Sequence, residues 1–143
     1  MPREAGRALK YTLGPGEHEL LKEVVVATRD RKRVPSSRLI VTDRRLVLLV
    51  PKPDKWSKLV GGLFGRAASK LAEDLDLAHQ IKRGEFSDVE ERDPGMLVFH
   101  SKGEGYAHVS FEVFDASPLA LWQQRMRDWV DGKDEAVAKS AGG

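Results

Sequence analysis

The sequence predicts a mainly β (α+β) domain. About seven short strands form two orthogonally packed antiparallel sheets, a C-terminal amphipathic helix plugs one open end, and a helical insertion follows the third strand. Three observations carry this reading. Ser37 to Val50 holds two runs rich in Val, Ile and Leu around the polar centre Thr42-Asp43-Arg44-Arg45, the pattern of a tight β-hairpin. Asp93-Pro94-Gly95 and Ser101-Lys102-Gly103-Glu104-Gly105 separate further short apolar runs with residues that turns select. Leu119, Trp122, Met126, Trp129 and Val130 recur at helical spacing behind Ser117-Pro118. The length of 143 residues and the hydrophobic fraction of 41% suit one domain, spanning residues 13–131.

Residues 1–12 are polar and read as a flexible N-terminus, and Leu13-Gly14-Pro15-Gly16-Glu17 reads as a turn. Val24 to Thr28 is the first strand, followed by a basic loop, Arg29-Asp30-Arg31-Lys32-Arg33-Val34, closed by Pro35. The hairpin of residues 37–50 ends at Pro51-Lys52-Pro53, because proline cannot donate to a sheet ladder. The period then changes. Trp56, Leu59, Val60, Leu63, Phe64, Ala67, Ala68, Leu71 and Leu75 form one stripe of an amphipathic helix over residues 55–75. Leu77 to Ile81 and Glu85 to Arg92 read as strands. Met96 to His100 and Tyr106 to Phe114 pair as a hairpin. With Val98 opposite His108, Leu97, Phe99, Ala107, Val109, Phe111 and Val113 share an apolar face, and His100, Tyr106, His108, Ser110 and Glu112 share the other. Ser117 is the expected N-cap, with Pro118 at the first helical position, and Gly132 ends the helix. Residues 132–143 are small and charged and are expected to be disordered.

Three pieces resemble a known family: Leu13 to Glu17, the Val41-Thr42-Asp43-Arg44-Arg45-Leu46 hairpin and the closing helix. Together they look like GRAM and bacterial PH-like domains, over about residues 13–131. The resemblance implies the PH superfold, a small β-barrel that binds rather than catalyses. It also implies that the loop between the first two strands and the loop between the third and fourth lie at the same open end. The insertion of residues 52–76 departs from that pattern, being longer and more amphipathic than a simple connection.

Several function classes lack their residues. Cysteine is absent, which excludes a disulfide, a thiolate metal site and a cysteine nucleophile, and is in keeping with a cytosolic protein. Residues 1–10 hold no apolar segment of the secretory type, and no apolar run approaches the ~20 residues that span a bilayer. No Gly-x-Ser-x-Gly, phosphate-loop or His-Glu-x-x-His motif is present, so neither an enzyme nor a cofactor is expected. His100, His108 and Glu112 share a face, but their diagonal spacing of about 7–8 Å is wide for one metal ion, and the plainer reading is a solvated strand surface. Asp88, Glu90, Glu91 and Asp93 likewise read as a solvated face and turn, without the glycine-centred loop that calcium selects.

Charge is the stronger lead. Residues 1–70 hold 16 Lys and Arg against 7 Asp and Glu, whereas residues 71–143 hold 8 against 15. Either the halves pair with each other across the fold or one face is basic and meets a polyanion. On the second reading, Arg29, Arg31, Lys32, Arg33, Lys55 and Lys58 contact anionic lipid headgroups, while Trp56, Leu59, Leu63 and Phe64 insert among acyl chains. The expected function is then peripheral docking on an anionic membrane surface by a cytoplasmic binding module. The rival is a protein-interaction or self-assembly module whose insertion stripe packs on a partner chain or a second copy. Packing of the stripe on the protein's own sheet is the plainer alternative to both. Nucleic acid ranks last, because no aromatic strand platform or helix-turn-helix accompanies the basic loop.

Overall fold

The computed structural model describes residues 9–51, 75–103 and 109–141. Within them the protein is mainly β. The strands are β1 (Leu9–Lys10), β2 (Glu19–Arg29), β3 (Lys32–Thr42), β4 (Arg45–Pro51), β5 (Leu75–Lys82), β6 (Phe86–Asp93), β7 (Met96–Ser101) and β8 (Ser110–Phe114). Two helices follow, α1 (Leu119–Val130) and α2 (Asp134–Ala141). All eight strands join one antiparallel sheet in the order β1-β5-β4-β3-β2-β8-β7-β6.

The sheet is two meanders, β2 to β5 and β6 to β8, joined by a short seam. Only Val26↔Phe114 and Ala27↔Val113 pair across it. Three strands separate β5 from β8 in the sheet, yet the His79 ring of β5 stacks on Phe111 of β8 at 5.5 Å. The sheet therefore folds over on itself, and one core fills the space between its halves. Phe99 stacks on Phe111 at 5.3 Å and meets Trp122 of α1 edge-on, also at 5.3 Å. Trp122 and Trp129 are fully buried in that core. A smaller apolar cluster, Ile40, Val47 and Leu49 with Tyr11, Leu75 and Leu77, lies on the opposite face of β3, β4 and β5.

The expected β3–β4 hairpin is present, with Val41 opposite Leu46. Its turn is fixed by Thr42, whose hydroxyl oxygen accepts the Arg44 and Arg45 amides at 3.0 and 2.9 Å. The basic loop is a correction. Only Asp30 and Arg31 turn, both in left-handed backbone (φ 51° and 66°), and β3 has already begun at Lys32. Two left-handed residues give the turn whose twist matches its strands. Pro35 is tolerated inside β3 because the ladder breaks there. Val25↔Ser37 and Ala27↔Val34 leave Pro35 and Ser36 as a bulge, with Ser36 at φ 61°.

The β7–β8 face assignment holds for the described residues, but the register does not. Val98 faces Glu112 and His100 faces Ser110. This is a shift of even parity, so Leu97, Phe99, Phe111 and Val113 still point into the core. Tyr106, Ala107 and His108 lie outside the described residues. The helical insertion, residues 52–76, also lies outside them, except that Leu75 and Asp76 open β5 rather than close a helix.

The chain ends differ from expectation too. Leu9–Lys10, placed in a flexible N-terminus, is an edge strand paired with β5. Ser117 does not cap α1, for which Pro118 is the N-cap residue. Instead the Ser117 amide and hydroxyl both donate to the Glu23 carboxylate. Gly132 ends α1 as expected, at φ 82°. Its amide reaches Trp129 O at 3.1 Å and the Lys133 amide reaches Asp128 O at 2.8 Å, which closes the last turn. The tail expected to be disordered is helix α2. Its Val137 is fully buried, Arg83 binds its Asp134, and Arg125 Nε donates to its Ser140 Oγ at 2.9 Å.

Candidate functional site

The four expected headgroup cations that the structure describes cluster at the β2–β3 turn, but they are not equivalent. Arg29 is paired with Asp76 at 3.4 Å, so its charge is largely matched. The Arg33 guanidinium lies 4.0 Å from the Phe114 ring centroid, an exposed cation steadied on an aromatic face. Arg31 and Lys32 are exposed and make no ion pair among the described residues. Lys55, Lys58, Trp56, Leu59, Leu63 and Phe64 lie outside the described residues.

The Arg29–Asp76 pair has a second consequence. Asp76 follows Leu75, and Leu75 is paired with Pro51, so the two residues that bound 52–74 lie side by side next to the Asp76 that binds Arg29. Thr28, two residues before the turn, lines a small cavity of about 200 Å³ with Leu48, His79, Arg92, Ser110 and Glu112 among its other walls. Burial, reinforced by the nearby Arg29 charge, pushes the His79 imidazole below its ordinary value, so it is neutral at pH 7. Its ring then offers one donor and one acceptor beside the Ser110 and Thr28 hydroxyls. The cavity is smaller than the 300–1,000 Å³ usual for a small-molecule site, and suits a polar fragment rather than a whole metabolite.

Two polar networks, one at the far end of β2 and β3 from the β2–β3 turn and one midway along β2, brace the sheet, and sequence reasoning missed both. The first joins the glycine-rich turn of residues 13–17 to the β3–β4 hairpin. Buried Glu17 accepts from Gly14 N at 2.8 Å, Thr42 Oγ1 at 2.7 Å and Arg45 Nε at 2.9 Å. Arg44 donates to Pro15 O at 2.6 Å, and Arg45 to Thr12 O at 2.7 Å. The glycine-rich turn is thus stapled to the hairpin. The Arg45 guanidinium, despite burial, and then the Gly14 and Thr42 donors hold the Glu17 carboxyl at about 2.

The second network ties β2 to both helices. Glu23 accepts from the Ser117 amide at 2.8 Å, Trp122 Nε1 at 3.0 Å and Arg125 at 3.2 Å. Burial raises the Glu23 carboxyl, but the donors from Ser117, Trp122 and Arg125 outweigh it and leave it below its ordinary value. Arg125 is only 4% exposed and lies against the Trp122 ring at 4.7 Å. The readable signal was an arginine inside the apolar stripe, between Trp122, Met126 and Trp129.

Of the groups considered for metal binding, His108 lies outside the described residues, and the others are engaged locally. His100 Nε2 lies 2.9 Å from Glu90, Glu91 accepts the Gly95 amide at 3.0 Å, and Glu90 also pairs with Arg92. Among the described residues no three His, Asp or Glu side chains gather as a metal site, and each buried side-chain nitrogen or oxygen has a partner. No helix among them is long and apolar enough to cross a membrane. In comparison with known proteins, the chain matches no family model and no curated sequence.

Proposed function

We propose that this protein is a non-catalytic binding module that docks peripherally on anionic membrane lipid, on a PH-like, GRAM-type barrel. The observation that carries the reading is the tight turn at Asp30 and Arg31, where Arg31 and Lys32 make no ion pair among the described residues, with Arg33 beside them. Two meanders that share one core and a helix whose tryptophans close it support the barrel. Three cations contribute about 1 kcal/mol each near an anionic surface, which alone gives only millimolar binding. A second anchor is required, and Trp56, Leu59, Leu63 and Phe64 supply it from the segment bounded by Pro51 and Leu75, which are paired next to the Arg29–Asp76 contact. Lys55 and Lys58 add charge in the same segment.

Trp56 fluorescence tests this. Trp122 and Trp129 are already buried, so a blue shift on adding anionic vesicles that disappears in Trp56→Phe reports insertion of the segment. If light scattering instead shows assembly without lipid, and Trp56→Ala or Leu63→Ala abolishes it, the stripe packs on a second copy and the membrane reading fails.

A further inference from the structure

Strand β6 ends the sheet. Among the described residues it is paired with β7 along one side only, and Ser87, Asp88, Glu91, Arg92 and Asp93 along it are exposed, so no described strand pairs with its outer edge. Such an edge presents a row of backbone donors and acceptors ready to accept another strand. Beside it, between β6 and α1, runs an open groove of about 390 Å³. Its apolar floor is Phe86, Val89 and Met126, and Val130 stands at its rim 52% exposed, one of the few large apolar side chains left open to water. Asp88 and Asp131 flank it together with Arg127, whose guanidinium donates to Gln124 at 3.0 Å, and neither aspartate makes an ion pair among the described residues.

We infer that the β6 edge and the β6–α1 groove form a docking site for an extended, basic peptide segment of a partner protein, added to the sheet as a ninth strand. Backbone pairing to β6 supplies the register. Alternate side chains of the added strand then point to opposite faces. On one face, apolar residues enter the groove over Val89, Met126 and Val130. On the other, a Lys or Arg residue stands beside Asp88. Charge selects the partner. The β6 strand carries Asp88, Glu90, Glu91 and Asp93 against Arg92, and with Glu90 already held by Arg92 and His100, Asp88, Glu91 and Asp93 make no ion pair among the described residues. Pairing of this edge with that of a second copy would set those carboxylates against one another, so the occupant is a basic segment and not this chain. None of the cations of the β2–β3 turn takes part, so the site stands or falls apart from membrane docking.

The test uses the full chain, isotopically labelled, and synthetic peptides of eight residues, the length of β6. One alternates Lys and Val, a second alternates Glu and Val, and two N-methylated forms of the first each block one edge of the peptide strand. The expected result is that the Lys–Val peptide shifts the backbone amides of Ser87 to Glu91 and protects them from exchange. It should bind about tenfold more tightly than the Glu–Val peptide. Only one N-methylated form should retain binding. Val130→Glu, at an exposed position, should abolish binding without unfolding the chain, and Asp88→Lys should remove the preference for the Lys peptide. The proposal is overturned if neither peptide moves the β6 amides, if the Glu–Val peptide binds as well, or if both N-methylated forms bind as well as their parent. It is also overturned if the chain dimerises through this edge and Val130→Glu abolishes the dimer, because a second copy is then the occupant.

Discussion

Replacing Glu23 by Gln removes one charge at the junction of the sheet and both helices while keeping the side chain's shape. In the native protein every partner of Glu23 is a donor: the Ser117 amide and hydroxyl, the Trp122 indole and the Arg125 guanidinium. A carboxamide has a single oxygen. If it faces Ser117 N and Trp122 Nε1, its NH2 group opposes the Arg125 guanidinium, and the reverse orientation opposes the other two donors. Arg125 is 4% exposed, so its charge stays buried without a counter-ion. Breaking a buried pair in this one-sided way costs about 3 kcal/mol or more. With a urea slope of about 1.5–2 kcal/mol/M, the unfolding midpoint falls by about 1.5–2 M. Fluorescence of the buried Trp122 and Trp129 follows the transition. In the double variant Glu23→Gln/Arg125→Met the orphaned charge is gone, so its loss is smaller than the sum of the single losses by about 2 kcal/mol. A loss below about 1 kcal/mol for Glu23→Gln, or strict additivity in the cycle, refutes the argument.

Three further outcomes follow from the same structure. Glu17 is held at about 2 against an ordinary 4.5, so it contributes stability in full above pH 4.5 and loses it as pH falls toward 2. That difference amounts to about 3 kcal/mol, and Glu17→Gln should flatten this part of an acid-unfolding curve. Gly132 holds φ 82° with open space around a Cβ, so Gly132→Ala meets backbone strain alone and lowers stability by about 1 kcal/mol in urea titration. Arg31 also holds left-handed backbone, so Arg31→Gly should raise stability by about 1 kcal/mol while weakening vesicle binding.

Much of the sheet was legible because its strands announce themselves locally. The β3–β4 hairpin needed only β-branched runs and a Thr-Asp turn, and the inward face of β7 and β8 needed only alternation. Register was not legible, because a shift of even parity leaves every face unchanged and depends on the connecting loop. The start of β3 was hidden by Lys32 and Arg33 and by a proline that sits harmlessly in a bulge. Helix α2 was hidden for a different reason. Asp134 to Ala141 holds one large apolar residue, Val137, and the helix exists through Arg83 and Arg125, which are remote in sequence. For the candidate site, a basic cluster was plain, but composition does not reveal that Asp76 matches Arg29 while Arg31 and Lys32 find no ion pair among the described residues.

The most direct measurement of the central claim is co-sedimentation of the protein with neutral and anionic vesicles at low and high salt. The account predicts binding to anionic vesicles alone, weakened by salt and lost in the triple variant Arg31→Ala/Lys32→Ala/Arg33→Ala, whose circular dichroism matches the wild type. Binding that ignores lipid charge, survives the triple variant, or fails under every condition would contradict it.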